Sequence, residues 1–387
     1  MDKIHKNFEG DIEKEQKLIV PEFVDLTLLD YGEEGLAKQI SEAEDLSYIP
    51  KEILETADFD TTFKWPEKLP EGFIPEKIME EGKNPGLGIY KLHEQGITGR
   101  GVTVAIIDFR ISETHSEFKD NIISNKDYDL SEEDDLTEIS MHGPSVASLL
   151  VGKNCGVAPE AKLFYACKSE LDDAYMGQAK ALYDMIEYNK THDEKIRIVS
   201  VSKGDMGSEE IPGLKEWHEA KKEAHKSGII VIDSNYFGNH SMNGGGAKED
   251  KEDFDNYNEA IFQKSRYESI LKEFSLMDEK SKKYKIYKNY IDNTTNNNQI
   301  IVPSDYRTMA SRKGDKEYVY NAKGGLSWAI PYYAGVFALA LQVNPDLTNE
   351  RFLEIVKETA GKTKKGLKVI NPEGIIKEVK KMVEEEK

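Results

Sequence analysis

Three chemically versatile side chains stand at the ends of apolar segments, where a fold can bring them together. Asp108 follows the β-branched run of residues 102–107, His142 precedes an apolar run of small residues, and Ser327 begins the most apolar stretch after two glycines. A serine hydroxyl becomes a nucleophile when an imidazole accepts its proton, and a carboxylate holds that imidazole in the required tautomer. The three residue types together indicate nucleophilic acyl transfer, whereas each alone is equally typical of a capped turn or helix.

The segments around these residues alternate between strand and helix patterns. Short β-branched runs predict strands, and longer runs that end near a glycine predict helices. The predicted strands are residues 102–107, 161–167, 196–201 and 229–232, and the predicted helices between them include 174–188 and 214–226. This alternation indicates an α/β fold with a largely parallel sheet. Parallel strands end at one edge of a sheet, where such folds place their active sites.

The order of the three residues along the chain excludes two other hydrolase frames. Residues 325–329, Gly-Leu-Ser-Trp-Ala, resemble the nucleophile elbow of α/β hydrolases, but that fold needs a histidine after its serine. The last histidine of this chain is His240. A chymotrypsin-type site runs His, Asp, Ser on an all-β frame, and this frame is not all-β. The order Asp108, His142, Ser327 is that of subtilisin.

Four motifs in this order resemble those of the subtilisin-like serine protease family. They are residues 101–108 around the aspartate, 142–147 around the histidine, 156–161 after it, and 325–331 around the serine. The resemblance implies a three-layer α/β sandwich with a largely parallel sheet and a serine endopeptidase acting on peptide or protein substrates. Ser327 would be the nucleophile, His142 the general base and acid, and Asp108 the orienting carboxylate. The alternative is a catalytically silent member that binds peptides as a regulator.

The resemblance also implies an oxyanion donor and a strand that pairs with the substrate. Counting from the end of strand 229–232 places Asn235 at the donor position, whereas the Gly-Asn pair points to Asn239, which we favour. One such donor stabilises the transition state by roughly 3–4 kcal/mol. Ser202, Lys203 and Gly204 are expected to pair with the peptide backbone of the substrate, which gives affinity with little sequence choice.

The chain departs from the family pattern after the aspartate and after the histidine helix. The family's aspartate precedes Thr-Gly or Ser-Gly, and here Phe109 and Arg110 follow it. We expect Phe109 to pack, and Arg110 to pair with the acidic run 132–135 or to contact Asp108 in competition with His142. The segment between residues 149 and 156 is too short for the family's calcium loop. The sequence therefore predicts no calcium there, no other metal site and no cofactor.

A change of composition near residue 83 divides the chain. Residues 1–82 are strongly acidic, and their last part carries Pro66, Pro70 and Pro75, which suit a connector. They are predicted to be a propeptide-like or regulatory segment that shields the cleft until removed, either as a small domain or as a partly disordered acidic tail. Residues 83–387 are predicted to be the catalytic domain, in which residues 240–298 form a helical insertion.

The charge and the cysteine content limit the partners and the compartment. Of 387 residues, 52 are Lys or Arg and 72 are Asp or Glu, which gives a formal net charge of −20. Such a surface repels phosphate backbones and anionic lipids, so we expect neither nucleic acid nor a membrane as a partner. The two cysteines are too few for a disulfide framework, and the first residues lack the apolar run of a signal peptide. Together these features predict a cytoplasmic protein.

Overall fold

Strands and helices alternate through the middle of the chain, as the sequence pattern predicts. In the computed structural model, the described residues are 18–27, 35–128, 139–168, 174–205, 211–262, 271–281, 284, 288 and 299–385. The strands are β1 (Phe59–Asp60), β2 (Thr103–Asp108), β3 (Ile122–Asp127), β4 (Lys162–Cys167), β5 (Ile196–Ser200), β6 (Ile230–Ile232), β7 (Met242–Gly246), β8 (Asn258–Glu259), β9 (Ile300–Pro303), β10 (Arg307–Ala310), β11 (Tyr318–Asn321), β12 (Gly361–Lys362) and β13 (Lys368–Val369). The α-helices are α1 (Leu36–Glu42), α2 (Lys51–Leu54), α3 (Pro75–Lys83), α4 (Ile89–Glu94), α5 (His142–Val151), α6 (Ala174–Thr191), α7 (Leu214–Lys226), α8 (Ser234–Asn239), α9 (Leu326–Val343), α10 (Asn349–Thr359) and α11 (Pro372–Glu385).

A parallel five-stranded sheet with the strand order β3-β4-β2-β5-β6 forms the centre of the fold. The side chains of the middle strand, β2, alternate between two cores. Val104 and Ile106 lie in one core, and Ala105 and Ile107 lie in the other. A strand that is buried on both faces needs a continuous apolar run, which is why this segment lacks polar alternation. The predicted α/β fold with a largely parallel sheet is confirmed.

Helices cover both faces of this sheet and complete three layers. Helices α5 and α9 belong to the core that contains Val104, whereas α6 and α7 belong to the core that contains Ala105. Helix α9 is long and apolar enough to cross a membrane by length and composition alone, and 78% of it is buried inside the protein. No other helix within the described ranges meets those two criteria. A helix that is apolar on all sides is typical of a large core.

A second sheet, in the order β12-β13-β9-β7-β8, uses part of the segment predicted to be an insertion. Strand β7 pairs in parallel with β9, so the first residues of the range 240–298 belong to the frame of the fold and not to a helical insertion. The glycines of β7 serve close packing, because a Cβ on Gly245 would lie 2.3 Å from the backbone oxygen of Asn258. Residues 263–270 and most of 282–298, where a helical hairpin was predicted, lie outside the described residues.

The described part of residues 1–82 packs onto the rest of the chain through a third core. Strand β1 pairs antiparallel with β11, which in turn pairs with β10. Phe59, Phe63 and Met79 share this core with Tyr320 and Ala322. The third core therefore joins the N-terminal region to the segment that leads into α9.

A buried lysine strengthens the same junction. Lys251 Nζ donates to the backbone oxygens of Glu81 at 3.0 Å, Asn84 at 3.3 Å and Tyr306 at 2.8 Å. Burial lowers the pKa of Lys251 well below its ordinary value, since desolvation disfavours the ammonium form. Domain boundaries usually fall where few contacts cross, and the position near residue 83 is crossed by buried hydrogen bonds as well as apolar contacts.

Phe59→Ala tests whether the N-terminal region and the central fold unfold together. Phe59 is 2% exposed, and removing a buried phenyl ring costs about 3–5 kcal/mol. If the third core joins the two regions, urea denaturation followed by fluorescence and by circular dichroism shows one common transition with this loss of free energy. The control Ile74→Ala, at a side chain that is 50% exposed, changes the free energy by less than about 0.5 kcal/mol. A separate early transition in Phe59→Ala, with the main transition unmoved, contradicts this expectation.

Candidate active site

Asp108 is held at the carboxyl end of β2, in the middle of the central sheet. It is 1% exposed, and its backbone oxygen accepts from the N–H of Lys168 at 2.9 Å. Its Oδ1 accepts from the N–H of Phe109 at 2.8 Å and from His142 Nδ1 at 2.7 Å. A buried carboxylate needs such partners, because desolvation alone disfavours its charge.

His142 is the first residue of α5, and the start of this helix brings the ring to Asp108. Gly143 permits the approach, since a Cβ there would lie 2.3 Å from the backbone oxygen of Phe109. The ring centroid of His142 lies 5.8 Å from that of Phe109 and 5.2 Å from that of Trp328. The His142 side chain remains 22% exposed. One carboxylate and two aromatic rings thus orient an imidazole that solvent still reaches.

Ser327 is the second residue of α9, which begins after Gly325. Backbone N–H groups in the first turn of a helix lack partners within it, and the helix dipole favours negative charge there. Gly324 packs closely, because a Cβ at this position would lie 2.1 Å from the backbone oxygen of Ser304. Ser202 Oγ donates to the backbone oxygen of Ser327 at 2.9 Å. The segment that follows β5 therefore fastens the start of α9.

His142 and Ser327 line the same cavity, whose volume is about 250 Å³. Its remaining walls come from four parts of the chain. They are Asp25, Thr27 and Asp58 in the N-terminal region, Met141 before α5, Phe262 after β8, and Val319, Asn321, Lys323, Gly324, Gly325 and Trp328 around the start of α9. The fold thus joins Asp108 to His142 by a hydrogen bond and brings His142 and Ser327 to one cavity. The N-terminal region contributes directly to its wall.

The two asparagines considered as oxyanion donors lie at opposite ends of α8. Asn235, near its start, accepts from the N–H of Asp205 at 2.9 Å through Oδ1 and donates to the Asp205 backbone oxygen at 3.3 Å through Nδ2. It adjoins Gly204, on which a Cβ would lie 3.0 Å from Asn235 Oδ1. Asn239 is the last residue of the helix and is exposed. Asn235 is therefore the one that adjoins the segment predicted to bind substrate.

The segment predicted to bind substrate, Ser202 to Gly204, directly follows β5. The backbone oxygen of Lys203 accepts from the N–H of Ser234 at 3.2 Å, and that of Gly204 accepts from the Tyr175 hydroxyl at 3.0 Å. The Lys203 ammonium lies 4.3 Å from the centroid of the Tyr175 ring. These contacts, with the bond from Ser202 to Ser327, fix the segment next to the start of α9.

The residues after Asp108 have specific partners. Phe109 packs against the His142 ring, and the Lys168 ammonium lies 3.6 Å from the centroid of the Phe109 ring. Arg110 Nη2 pairs with Asp127 Oδ2 at 2.7 Å. Asp127 was not among the partners predicted for Arg110, because the alignment of β3 beside β4 is a tertiary feature. The acidic run 132–135, which was predicted to pair with Arg110, lies outside the described residues.

Two buried carboxylates near Ser327 were missed in the sequence. Burial raises the pKa of Asp58 to about 7, and burial raises the pKa of Asp305 to about 6. Asp58 lies more than two hundred residues before Ser327 in the N-terminal region, and Asp305 follows a short strand. No local pattern singles out either residue, because the backbone N–H groups of Ala322 and Gly324 that bind them lie far away in the sequence.

The described residues offer neither a reactive thiol nor a metal centre. Cys155 and Cys167 are both buried and unbridged. Burial raises the pKa of the Cys155 thiol well above its ordinary value, so the nucleophilic thiolate is scarce. Within the described ranges, no three His, Cys, Asp or Glu side chains are grouped so as to hold a metal ion. The turn 152–156 that follows α5 contains no carboxylate and does not fit calcium.

Comparison with known proteins identifies the family of this chain. The sequence profile of the subtilase family matches residues 99–375, which is well over half of the chain. The chain belongs to the subtilase family.

Similar proteins are serine proteases. The major intracellular serine protease of Bacillus subtilis (strain 168) is 31% identical over 169 residues, which are 41% of this chain and 50% of that protein. The intracellular serine protease of Paenibacillus polymyxa is 28% identical over 275 residues, 67% of this chain and 74% of that protein. A solved cold adapted subtilisin-like serine proteinase is 18% identical with a TM-score of 0.43, over 70% of this chain and 89% of that one. This chain thus spans about half the length of the first relative.

Gly143→Ala tests how tightly the start of α5 must approach the loop after β2. The new methyl group meets the Phe109 backbone oxygen at 2.3 Å, so α5 has to shift, at a cost of about 1–3 kcal/mol in unfolding free energy. A crystal structure of the variant should show His142 Nδ1 beyond hydrogen-bond distance of Asp108. The control Gly238→Ala, with no atom within 4 Å of the added Cβ, changes the unfolding free energy by less than about 0.5 kcal/mol. A variant structure that retains the bond between His142 and Asp108 would show that the close approach is not required.

Proposed function

We propose that this chain is a serine endopeptidase that hydrolyses peptide bonds through an acyl-enzyme. The observation that carries the proposal is the 2.7 Å hydrogen bond between His142 Nδ1 and Asp108 Oδ1, together with the cavity that His142 and Ser327 both line. Membership of the subtilase family supports the same chemistry.

The proposed roles follow from the chemistry of the three groups. Ser327 Oγ attacks the peptide carbonyl carbon and passes its proton to His142 Nε2. Asp108 keeps the proton of the ring on Nδ1, so that Nε2 is the free acceptor, and stabilises the imidazolium that forms. His142 then protonates the leaving amine, while the acyl group stays on Ser327 until water attacks with His142 again as the base.

We propose Asn235 as the side-chain donor to the oxyanion, with the backbone N–H of Ser327 as the second donor. An amide group carries two N–H donors, and the bond from Asn235 Nδ2 to the Asp205 backbone oxygen is long, at 3.3 Å. One N–H is therefore left for the oxyanion. The position of Asn235 beside Gly204 supports this choice over Asn239.

The substrate we propose is a peptide or protein segment that extends along residues 202–204. An extended peptide that pairs with this backbone passes beside Ser327, because Ser202 is bonded to the Ser327 carbonyl. The net charge of −20 disfavours nucleic acid and anionic membranes as partners. A cytoplasmic location is in keeping with the intracellular relatives and belongs to this proposal.

For residues 1–82 we propose a regulatory region that is not removed and whose described part stays docked beside the cleft. Asp25, Thr27 and Asp58 line the cavity that contains His142. Removing the region would expose the apolar side chains of the third core, among them Tyr320. This proposal requires that the N-terminal region and the central fold unfold together, which the Phe59→Ala experiment tests.

A catalytically silent regulator that binds peptides is the second candidate. The observation that favours it is the amide of Asn235, whose oxygen and nitrogen are both bonded to Asp205. In such a protein, peptides would still extend along residues 202–204, but no acyl-enzyme would form.

A fluorophosphonate probe separates the two candidates. We expect the wild-type protein to be labelled on Ser327, and Ser327→Ala to be unlabelled, because only a serine activated by a base attacks the probe. Asp108→Asn lowers kcat for a peptide substrate about 10⁴-fold, since the imidazole takes the wrong tautomer. The control Ser227→Ala, at an exposed serine after α7, is labelled like the wild type. Absence of labelling in the folded wild-type protein supports the regulator.

Asn235→Ala and Asn239→Ala identify the oxyanion donor. Loss of one donor lowers kcat about 10²–10³-fold with little change in KM, because the bond forms only in the transition state. We expect this loss in Asn235→Ala and less than about a twofold change in Asn239→Ala. The reverse result in steady-state kinetics assigns the role to Asn239.

A further inference from the structure

We propose that Asp58 and Asp305 are positioning residues for Ser327, because these two buried carboxylates hold the backbone N–H groups of residues 322–324, which lead into α9. The inference rests on the proposed nucleophilic role of Ser327. The two carboxylates act through the backbone of the loop and not on the scissile bond.

Asp58 supplies the acceptor from the N-terminal region. Its Oδ1 accepts from the N–H of Ala322 at 2.7 Å, and the backbone N–H of Lys323 lowers the pKa of the same carboxyl. The backbone of Asp58 is fixed in turn, since its N–H donates to Val24 at 2.9 Å and its oxygen accepts from Leu26 at 2.7 Å. The loop before α9 is therefore bonded to a rigid part of the N-terminal region.

Asp305 supplies the acceptor from the other side of the loop. Its Oδ1 accepts from the N–H of Gly324 at 2.9 Å and from Ser304 Oγ at 3.2 Å. Its Oδ2 accepts from the N–H of Ile261 at 2.9 Å. Gly324 fits against this group, because a Cβ there would lie 2.9 Å from Asp305 Oδ1. The N–H groups of Ala322 and Gly324, at the two ends of the segment 322–324, are thus bound by two carboxylates that come from different parts of the chain.

The charge state of the two carboxylates sets the strength of these bonds. An ionised carboxylate binds N–H groups more strongly than a neutral acid does. Burial raises the pKa of Asp58 to about 7, and the Asp25 carboxylate raises it too, whereas the bonds from Ala322 and Lys323 lower it. Burial likewise raises the pKa of Asp305 to about 6. The loop is held by its strongest bonds only above these pKa values.

Other titratable groups face the same two carboxylates. Lys323 lowers the pKa of Asp305 through its charge. The groups around Asp58 are Asp25 on the neighbouring segment, Tyr320 on β11, and His142 and Lys323 on the cavity wall. The groups around Asp305 are Tyr306, Tyr320, Lys248, Glu249, Asp255, Glu259 and Lys365. The pH dependence of the hold on the loop must therefore be measured in variants of Asp58 and Asp305 as well as in the wild type.

Linkage gives a second signature of the positioning role. The pKa of each carboxyl is raised in the folded protein above its ordinary value of 3.8. Folding is therefore favoured by their protonation, and this contribution is lost as the pH rises from that value towards about 7. A neutral Asn at either position avoids the cost of ionisation, so at pH 8 the variant is no less stable than the wild type. If the carboxylate served only to stabilise the fold, the Asn variant would be less stable than the wild type at pH 8.

Hydrogen exchange in the Ser327→Ala background tests the hold on the loop without any catalysis. Mass spectrometry of peptides that cover residues 318–330 measures exchange at the amides 322–324, corrected for the intrinsic rate. We expect protection to increase about tenfold from pH 5 to pH 8, as the neutral acids become ionised acceptors. Asp58→Asn should abolish this increase at Ala322, and Asp305→Asn should abolish it at Gly324. The control Asp60→Asn should retain it, because Asp60 bonds to Thr62 and Lys313 instead.

Kinetics on the protein with Ser327 intact complete the test. At pH 8, Asp58→Asn and Asp305→Asn should each lower kcat about 10- to 100-fold through misplacement of the nucleophile. KM should stay within about threefold and the free energy of unfolding should not fall, since neither residue is proposed to bind substrate. The inference is overturned if protection at residues 322–324 stays within twofold of the parent in both variants. It is also overturned if protection changes while kcat does not. If the fluorophosphonate does not label the wild-type protein, the proposed function is overturned instead. The exchange data do not require activity, so they still test the hold on the loop in that case.

Discussion

The burial of the Asp108 carboxylate against the His142 ring is the interaction on which the rest of the site depends. Asp108 is 1% exposed, and its carboxylate accepts hydrogen bonds from Phe109 and His142, as a buried polar group requires. The sheet fixes the position of this carboxylate, since β2 is the middle strand and is buried on both faces. Gly143 fixes the position of the ring by letting α5 begin against the loop that follows β2. The geometry of the pair is therefore set by the packing of the two large cores.

The cleft is built from both sides of the compositional boundary near residue 83. The N-terminal region adds a strand to β11, shares a core with it, and lines the cavity that contains His142 and Ser327. Lys251 bonds to backbone oxygens on both sides of the junction. Acidic composition and frequent prolines indicate a separate segment, yet the contacts are those of a shared structural core. The composition of this region reflects its many solvent-facing residues. It does not indicate what its few apolar residues pack against.

The loop before α9 illustrates how order at a site is gained at the expense of stability. Asp58 and Asp305 are both buried, and their raised pKa values mean that ionisation in place is unfavourable. An apolar or neutral side chain would cost less, but it would leave the backbone N–H groups of residues 322–324 with weaker partners or none. Such unfavourable charges are common where a protein orders a reacting group.

The sequence by itself determined the elements that carry the three proposed catalytic groups, because apolar runs, glycines and helix starts are local signals. Strand β2, helix α5 and helix α9 lie where these signals indicate, and the motif order identified the family. The sequence predicted a helical insertion over residues 240–298, and the structure places the glycine run near its start in strand β7. Only the tertiary structure decided that Arg110 pairs with Asp127, that Asp58 binds the N–H of Ala322 and that Asp305 binds the N–H of Gly324. These contacts depend on strand register and on packing between segments far apart in the chain, which no local pattern specifies.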